Sequence, residues 1–172
     1  MIKIFRYGHR IKRDERATTH VCLAARALGA DEVIISGDRD MGVIESIEKI
    51  SARWGGNFKA VFCESPVAEL KRLKKDNFIV QLTMYGEPIQ KMEGRLRQVK
   101  DMVVIVGSQK VPPQVYNLAD ANVAVTNQPH SEIAALAVFL DRYFEGRELE
   151  KKFEGKVKIR PSLRGKSVVT CE

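Results

Sequence analysis

VTNQPHSEIAALAVFLDR, from Val125 to Arg142, joins two unlike kinds of chain. Its head closes an apolar strand, ANVAV, and passes through Asn127, Gln128 and Pro129 straight into a helix with almost no polar face. Short apolar runs rich in Ile, Val and Phe recur upstream: IKIFRYG, EVIIS, KAVFC, FIVQL and MVVIVG read as strands. Helical stretches lie between them. TTHVCLAARALG has Thr residues able to cap and ends at Gly29, whereas MGVIESIEKISARWGG spaces Val43, Ile44, Ile47, Ile50 and Trp54 on one face. In SPVAELKRLKK, Pro66 suits a first helical position. Strands alternating with helices predict the α/β class, with a parallel sheet covered on both faces.

The tail has a different character. After EGRELEKKFEG comes KVKIRPSLRGKSVVT, where Val157–Ile159 and Ser167–Thr170 can pair around a turn holding Pro161 and Gly165. The expected organisation is a main domain over residues 1–150 and a basic hairpin extension over 151–172. That hairpin reads either as a structural edge or dimer contact, or as an RNA-contacting arm.

Composition narrows the function. The chain has 172 residues, 44% of them hydrophobic, enough for one full core. The opening MIKIFRYGHRIKRD has no apolar signal-like run, and no stretch reaches the roughly 20 apolar residues of a spanning helix, so a soluble cytoplasmic protein without membrane contact is expected. Cys22, Cys63 and Cys171 are odd in number and form no CxxC, which predicts reduced, mostly buried thiols and no zinc site. The formal net charge of +7 favours a polyanionic partner such as nucleic acid.

In open α/β sheets, ligands bind beyond the carboxyl ends of the strands. Three such loops combine small residues with Gly or Pro: VQLTMYGEP after Leu82, VIVGSQKVPPQVY after Val106, and VTNQPHSE after Val125. They expose backbone polar groups and leave room for a flat heterocycle. GxxxxGK[ST], GxGxxG and GxSxG are all missing, which argues against the common triphosphate, dinucleotide and serine-hydrolase sites. A fourth segment, GHRIKRDERATTH over Gly8–His20, packs His9, Arg10, Lys12, Arg13, Asp14, Glu15, Arg16 and His20 after the first strand. Its arginines are suited to gripping phosphate, unless the run is simply a solvated charged face.

The string RYGHRIKRDERATTHVCLAARALGADEVIISGDRD, with LTMYG, VIVGSQKVPPQVY and TNQPHSEIAALAVFLDR in that order, resembles the archaeal tRNA cytidine-56 2'-O-methyltransferases of the SPOUT superfamily. The resemblance covers nearly the whole chain. It implies a SPOUT fold with a C-terminal deep trefoil knot, a homodimer, a tRNA substrate, S-adenosyl-L-methionine as methyl donor and no metal. It places donor binding on Leu82, on Gly107, Ser108, Gln109, Lys110 and Val111, and on Val125, Thr126, Asn127, Gln128, Pro129, His130, Ser131 and Glu132. Ser131 and Glu132 equally suit the cap of the following helix. That helix, from about His130 to Phe144, would pack one side on the sheet and the other on a second subunit.

Ribose-methylating relatives use an arginine in their first motif, commonly with an asparagine ahead of the helix. This sequence lacks that asparagine. Arg16 is the expected catalytic arginine, with Arg10, Arg13 and Arg26 as rivals, Arg26 also reading as a helix packing residue. A guanidinium stays protonated below about pH 12, so its expected role is to stabilise the developing alkoxide or to fix a phosphate that takes the proton. His9, His20 and His130 read as capping or packing groups as readily as catalytic ones. For the RNA, Tyr7 and Tyr85 are stacking candidates and Lys12, Arg13, Arg160, Arg164 and Lys166 phosphate candidates.

Overall fold

The computed structural model describes residues 1–171. The apolar runs become strands β1 (Ile2–His9), β2 (Glu32–Gly37), β3 (Lys59–Cys63), β4 (Phe78–Pro88), β5 (Met102–Gly107) and β6 (Ala121–Ala124). All are parallel, in the order β3-β2-β1-β5-β4-β6. Their side chains alternate between two cores, as a period of two requires. Ile2, Ile4, Val33, Ile35, Val104 and Val106 point to one face, and Phe5, Ile34, Ile79, Val103 and Ile105 to the other.

Helices α1 (Ile11–Ala27), α2 (Met41–Trp54), α4 (Ile89–Leu96) and α6 (Glu132–Phe144) cover the first face through Val21, Cys22, Ile47, Leu96, Leu136 and Phe139. Helices α3 (Pro66–Leu73) and α5 (Pro113–Leu118) cover the second through Leu70, Leu73 and Val115. Burial pushes the Cys22 thiol up to about 12, whereas Cys63 and Cys171 are only half-buried. Strands β7 (Val157–Arg160) and β8 (Ser167–Thr170) form a separate antiparallel hairpin. The extension expected over 151–172 includes Glu172, which lies outside the described residues.

Local structure departs from the sequence reading at several points. The first helix begins at Ile11, so most of Gly8–His20 is helical and Thr18 is buried inside the helix rather than capping it. The charged residues make that early start possible. Asp14 Oδ2 accepts from the Arg10 backbone N and side chain, and Asp38 Oδ2 accepts from the Ile11 N, so carboxylates satisfy the free amides of the first turn. Two helices form where none was read from sequence: α4 at Ile89–Leu96, which turns Ile89, Met92 and Leu96 to the core, and α5 within the expected loop VIVGSQKVPPQVY. Strand β4 does not stop near Leu82: its pairing with β6 is interrupted between Leu82 and Glu87 and then resumes at Glu87 and Pro88. Gly86 permits the return, because a Cβ there would lie 2.5 Å from the Asn122 carbonyl.

Candidate methyl-donor site

A cavity of 440 Å³ opens at the carboxyl ends of β4 and β5. Leu82, Thr83 and Met84 form one wall, Gly107, Ser108, Gln109, Lys110 and Val111 a second, and Pro129, His130 and Glu132 a third. Nine of the residues expected to hold the donor therefore meet in one place: Leu82, Gly107, Ser108, Gln109, Lys110, Val111, Pro129, His130 and Glu132. Val125, Thr126, Asn127, Gln128 and Ser131 do not line it. Asn127 instead donates its amide to the carbonyls of Met84 and Gly86, at 2.7 and 3.1 Å, tying the third loop to the first. Ser131 caps α6 by accepting from the Ile133 N, and the His130 Nδ1–H donates to the Gln128 carbonyl at 2.6 Å.

Backbone approach shapes the second wall. A Cβ on Gly107 would sit 2.6 Å from the Val111 side chain, so a larger residue would push this loop out. Ser108 Oγ donates to the Tyr7 carbonyl, which ties the same loop to the end of β1. The Gln81 amide lines the cavity, is 1% exposed, and both its oxygen and its nitrogen lack a protein partner. Such buried groups normally find one. A flat heterocycle with donors and acceptors on its edge supplies both halves of that bond, and the volume lies within the usual few-hundred-Å³ range for such ligands. The residues present thus fit S-adenosyl-L-methionine.

A charged network lies directly beneath the cavity. Arg6, on β1, is 0% exposed, and burial draws its pKa down while the Glu132 carboxylate draws it back up. Its Nε donates to Thr18 Oγ1 at 3.2 Å, Nη1 to the Gly107 carbonyl at 3.0 Å, and Nη2 to Glu132 Oε1 at 3.2 Å. Thr18 Oγ1 lies 2.9 Å from His9 Nδ1, and His9 Nε2 lies 3.3 Å from Asp40 Oδ2. Arg6 was missed from sequence. Its signal was its position: Ile2, Ile4 and Arg6 share one side of β1, so a charge stands where the pattern calls for a third apolar residue.

The expected catalytic arginines separate. Arg10 is held in a bidentate pair by Asp14 and donates to the Ser108 carbonyl at 3.2 Å, on the cavity wall. Arg13 and Arg16 are exposed on α1. Arg16 follows buried Asp14 by two residues, about 200° around the helix, and so faces away from its own sheet. Arg26 is remote, donating to the Gly55 carbonyl beside a cavity of 730 Å³ at the opposite edge of the sheet. His20 is exposed, and His9 belongs to the buried network. Among the described residues no group of three His, Cys, Asp or Glu is disposed to hold a metal ion, and no helix is long and apolar enough to cross a membrane.

This architecture is that of the SpoU class of methyltransferases. The SpoU methyltransferase AviRb from Streptomyces viridochromogenes, solved with AdoMet, superposes with a TM-score of 0.61 at 14% identity, over 86% of this chain and 57% of that one. A second solved structure, an RNA 2'-O ribose methyltransferase, gives a TM-score of 0.63 at 16% identity, over 86% and 56% of the two chains. This chain thus spans little more than half the length of those two proteins. Over residues 54–169 the sequence matches the tRNA ribose 2'-O-methyltransferase family aTrm56. The tRNA (cytidine(56)-2'-O)-methyltransferase of Methanothrix thermoacetophila is 53% identical, with 98% of this chain and 97% of that one aligned. That of Thermococcus kodakarensis is 50% identical over 100% and 98%. The chain belongs to the aTrm56 family of tRNA ribose 2'-O-methyltransferases.

Proposed function

We propose that this protein methylates the ribose 2'-hydroxyl of cytidine 56 in tRNA, with S-adenosyl-L-methionine as donor, as a cytoplasmic homodimer. Near-complete alignment at about half identity with relatives of that single named activity carries the reading. The chain between β4 and α6 is threaded as a deep trefoil knot, and the amide of Asn127 fastens its last loop back onto the first. Residues 1–150 form the methyltransferase unit and 151–172 a basic extension.

When bound, S-adenosyl-L-methionine supplies a methyl group on a sulfonium. Leu82, Met84 and Val106 offer apolar surface to its adenine, and the Gln81 amide with the carbonyls and amides of Gly107–Val111 reads the polar edge. The walls keep water out and hold donor and hydroxyl in line, which removes much of the entropic barrier. Arg10, fixed by Asp14 against the Ser108 carbonyl, stands at the rim of its own pocket. Arg13 and Arg16 face outward and serve the pocket of the second subunit, where a guanidinium stabilises the oxygen as it loses its proton. The outer stripe of α6, with Ala134 exposed and Val138 40% exposed, provides the dimer face.

Methyl transfer from labelled S-adenosylmethionine to an unmodified tRNA transcript tests the reading, run beside the same tRNA carrying a 2'-deoxy residue at position 56. Label only on the ribose substrate is expected. Equal label on both moves the target elsewhere, and none on either removes the activity. The hairpin supports RNA contact through Lys158, Arg160, Arg164 and Lys166, all exposed. Changing each to Gln is expected to reduce the salt dependence of tRNA affinity by about one unit of slope per contact.

A further inference from the structure

We propose that Arg6 is the positioning residue of the methyl-donor site, a buried latch that holds the loop after β5 and the first turn of α6 at one fixed separation. The inference rests on reading the cavity at the ends of β4 and β5 as the donor site. Arg6 does not line that cavity, but two of its three acceptors, Gly107 and Glu132, do. A guanidinium is a rigid planar fork, so its donors cannot adjust independently. With Nη1 on Gly107 and Nη2 on Glu132, the two walls are spaced by the geometry of one side chain.

Helix α6 does not need Glu132 as its cap, because Ser131 already accepts from the Ile133 N. The Glu132 carboxylate is therefore free to serve two surfaces. Oε1 receives Arg6, while the side chain, 38% exposed, continues into the cavity wall.

The latch is anchored at its far end as well. The Thr18 hydroxyl accepts from the Arg6 Nε and lies 2.9 Å from His9 Nδ1. The opposite ring nitrogen faces a carboxylate oxygen of Asp40, which only accepts, and so His9 Nε2 carries a hydrogen. Asp40 in turn caps α2 by accepting from the Val43 N. From Asp40 to Glu132 each side chain in the series has at least one hydrogen-bonding partner. Such a network is a poor way to gain stability, since apolar side chains at all of its positions together would pack without losing hydration. It is a good way to hold one geometry.

The test uses the full chain carrying Arg6→Lys, which keeps the charge but loses the fork, and Thr18→Val, which keeps the shape and lies outside the cavity. Calorimetric Kd for S-adenosylmethionine, KM for each substrate, kcat and Tm are measured. Arg6→Lys is expected to raise Kd and KM for the donor about tenfold or more, with KM for tRNA within about twofold. Thr18→Val is expected to raise the donor Kd about threefold, since it frees the Arg6 Nε without touching the cavity lining. A fall in Tm with donor Kd unchanged in both variants overturns the latch and leaves a structural arginine. Should Arg6→Lys fail to fold, Thr18→Val alone decides by the same criterion. A wild-type protein that does not bind S-adenosylmethionine overturns the donor-site reading, and the latch with it.

Discussion

Two buried arginines stand at opposite edges of the sheet, and the fold treats them differently. Arg6, at the carboxyl edge, is 0% exposed and gives donors to a hydroxyl, a carbonyl and a carboxylate on three separate elements. Arg26, at the amino edge, is 8% exposed, makes one bond to the Gly55 carbonyl, leaves its Nε without a partner, and stacks 4.7 Å over the Phe153 ring. Burial pulls both pKa values down, but only Arg6 has a carboxylate pulling the other way. Arg6 thus uses its polar head to fix geometry, whereas Arg26 uses its stem and flat face to cover apolar surface.

The comparison can be broken most easily at Arg6. Arg6→Met removes the hydrogen bonds to the Thr18 hydroxyl, the Gly107 carbonyl and the Glu132 carboxylate and should lower unfolding free energy in urea by about 3 kcal/mol. A loss below about 1 kcal/mol would make the two arginines alike. Asp14→Asn comes next, because the Arg10 hydrogen bond holds the Asp14 carboxyl below the usual range. A depressed carboxyl contributes stability above its unfolded pKa and loses it as pH falls through the folded one. The wild type should therefore destabilise more steeply below about pH 4 than Asp14→Asn, as read from urea midpoints against pH.

Arg26→Met, which keeps the apolar stem on Phe153, should cost about 1 kcal/mol or less. Asp40→Asn should leave α2 capped, with a change of a few tenths of a kcal/mol. Its amide would nevertheless point a donor at His9 and move the ring proton to Nδ1, a shift visible in nitrogen-15 spectra of the imidazole. An unmoved proton there would show that Asp40 does not set the tautomer.

Most of the sheet was legible because its strands read as apolar runs, and those of β1, β2, β3, β5 and β6 came out within a residue of their observed bounds. Helix α5 was not legible: six residues opening on Pro113 are too few to carry a period, and packing of Val115 on the second face holds them helical. The start of α1 was hidden for another reason. Its first turn is held by Asp14 and Asp38, whose partners become visible only when strand ends and loops come together. At the site, the loops could be found from Gly, Pro and small residues, and nine of their residues converge. Arg6 could not be found by looking at loops at all, since it lies inside a strand.

The separation of the latch along the chain has a consequence for biogenesis. Arg6 and Glu132 are 126 residues apart, and β1, which carries Arg6, pairs in the middle of the sheet with β5. At about 5–20 residues per second of synthesis, the arginine waits many seconds on the ribosome before its carboxylate exists. Until β5 is made the central strand has only β2 beside it, and until α6 begins the third wall of the pocket is incomplete. Ligand competence is therefore among the last properties the nascent protein acquires, and a truncated translation product ending before α6 carries Arg6 without its carboxylate partner.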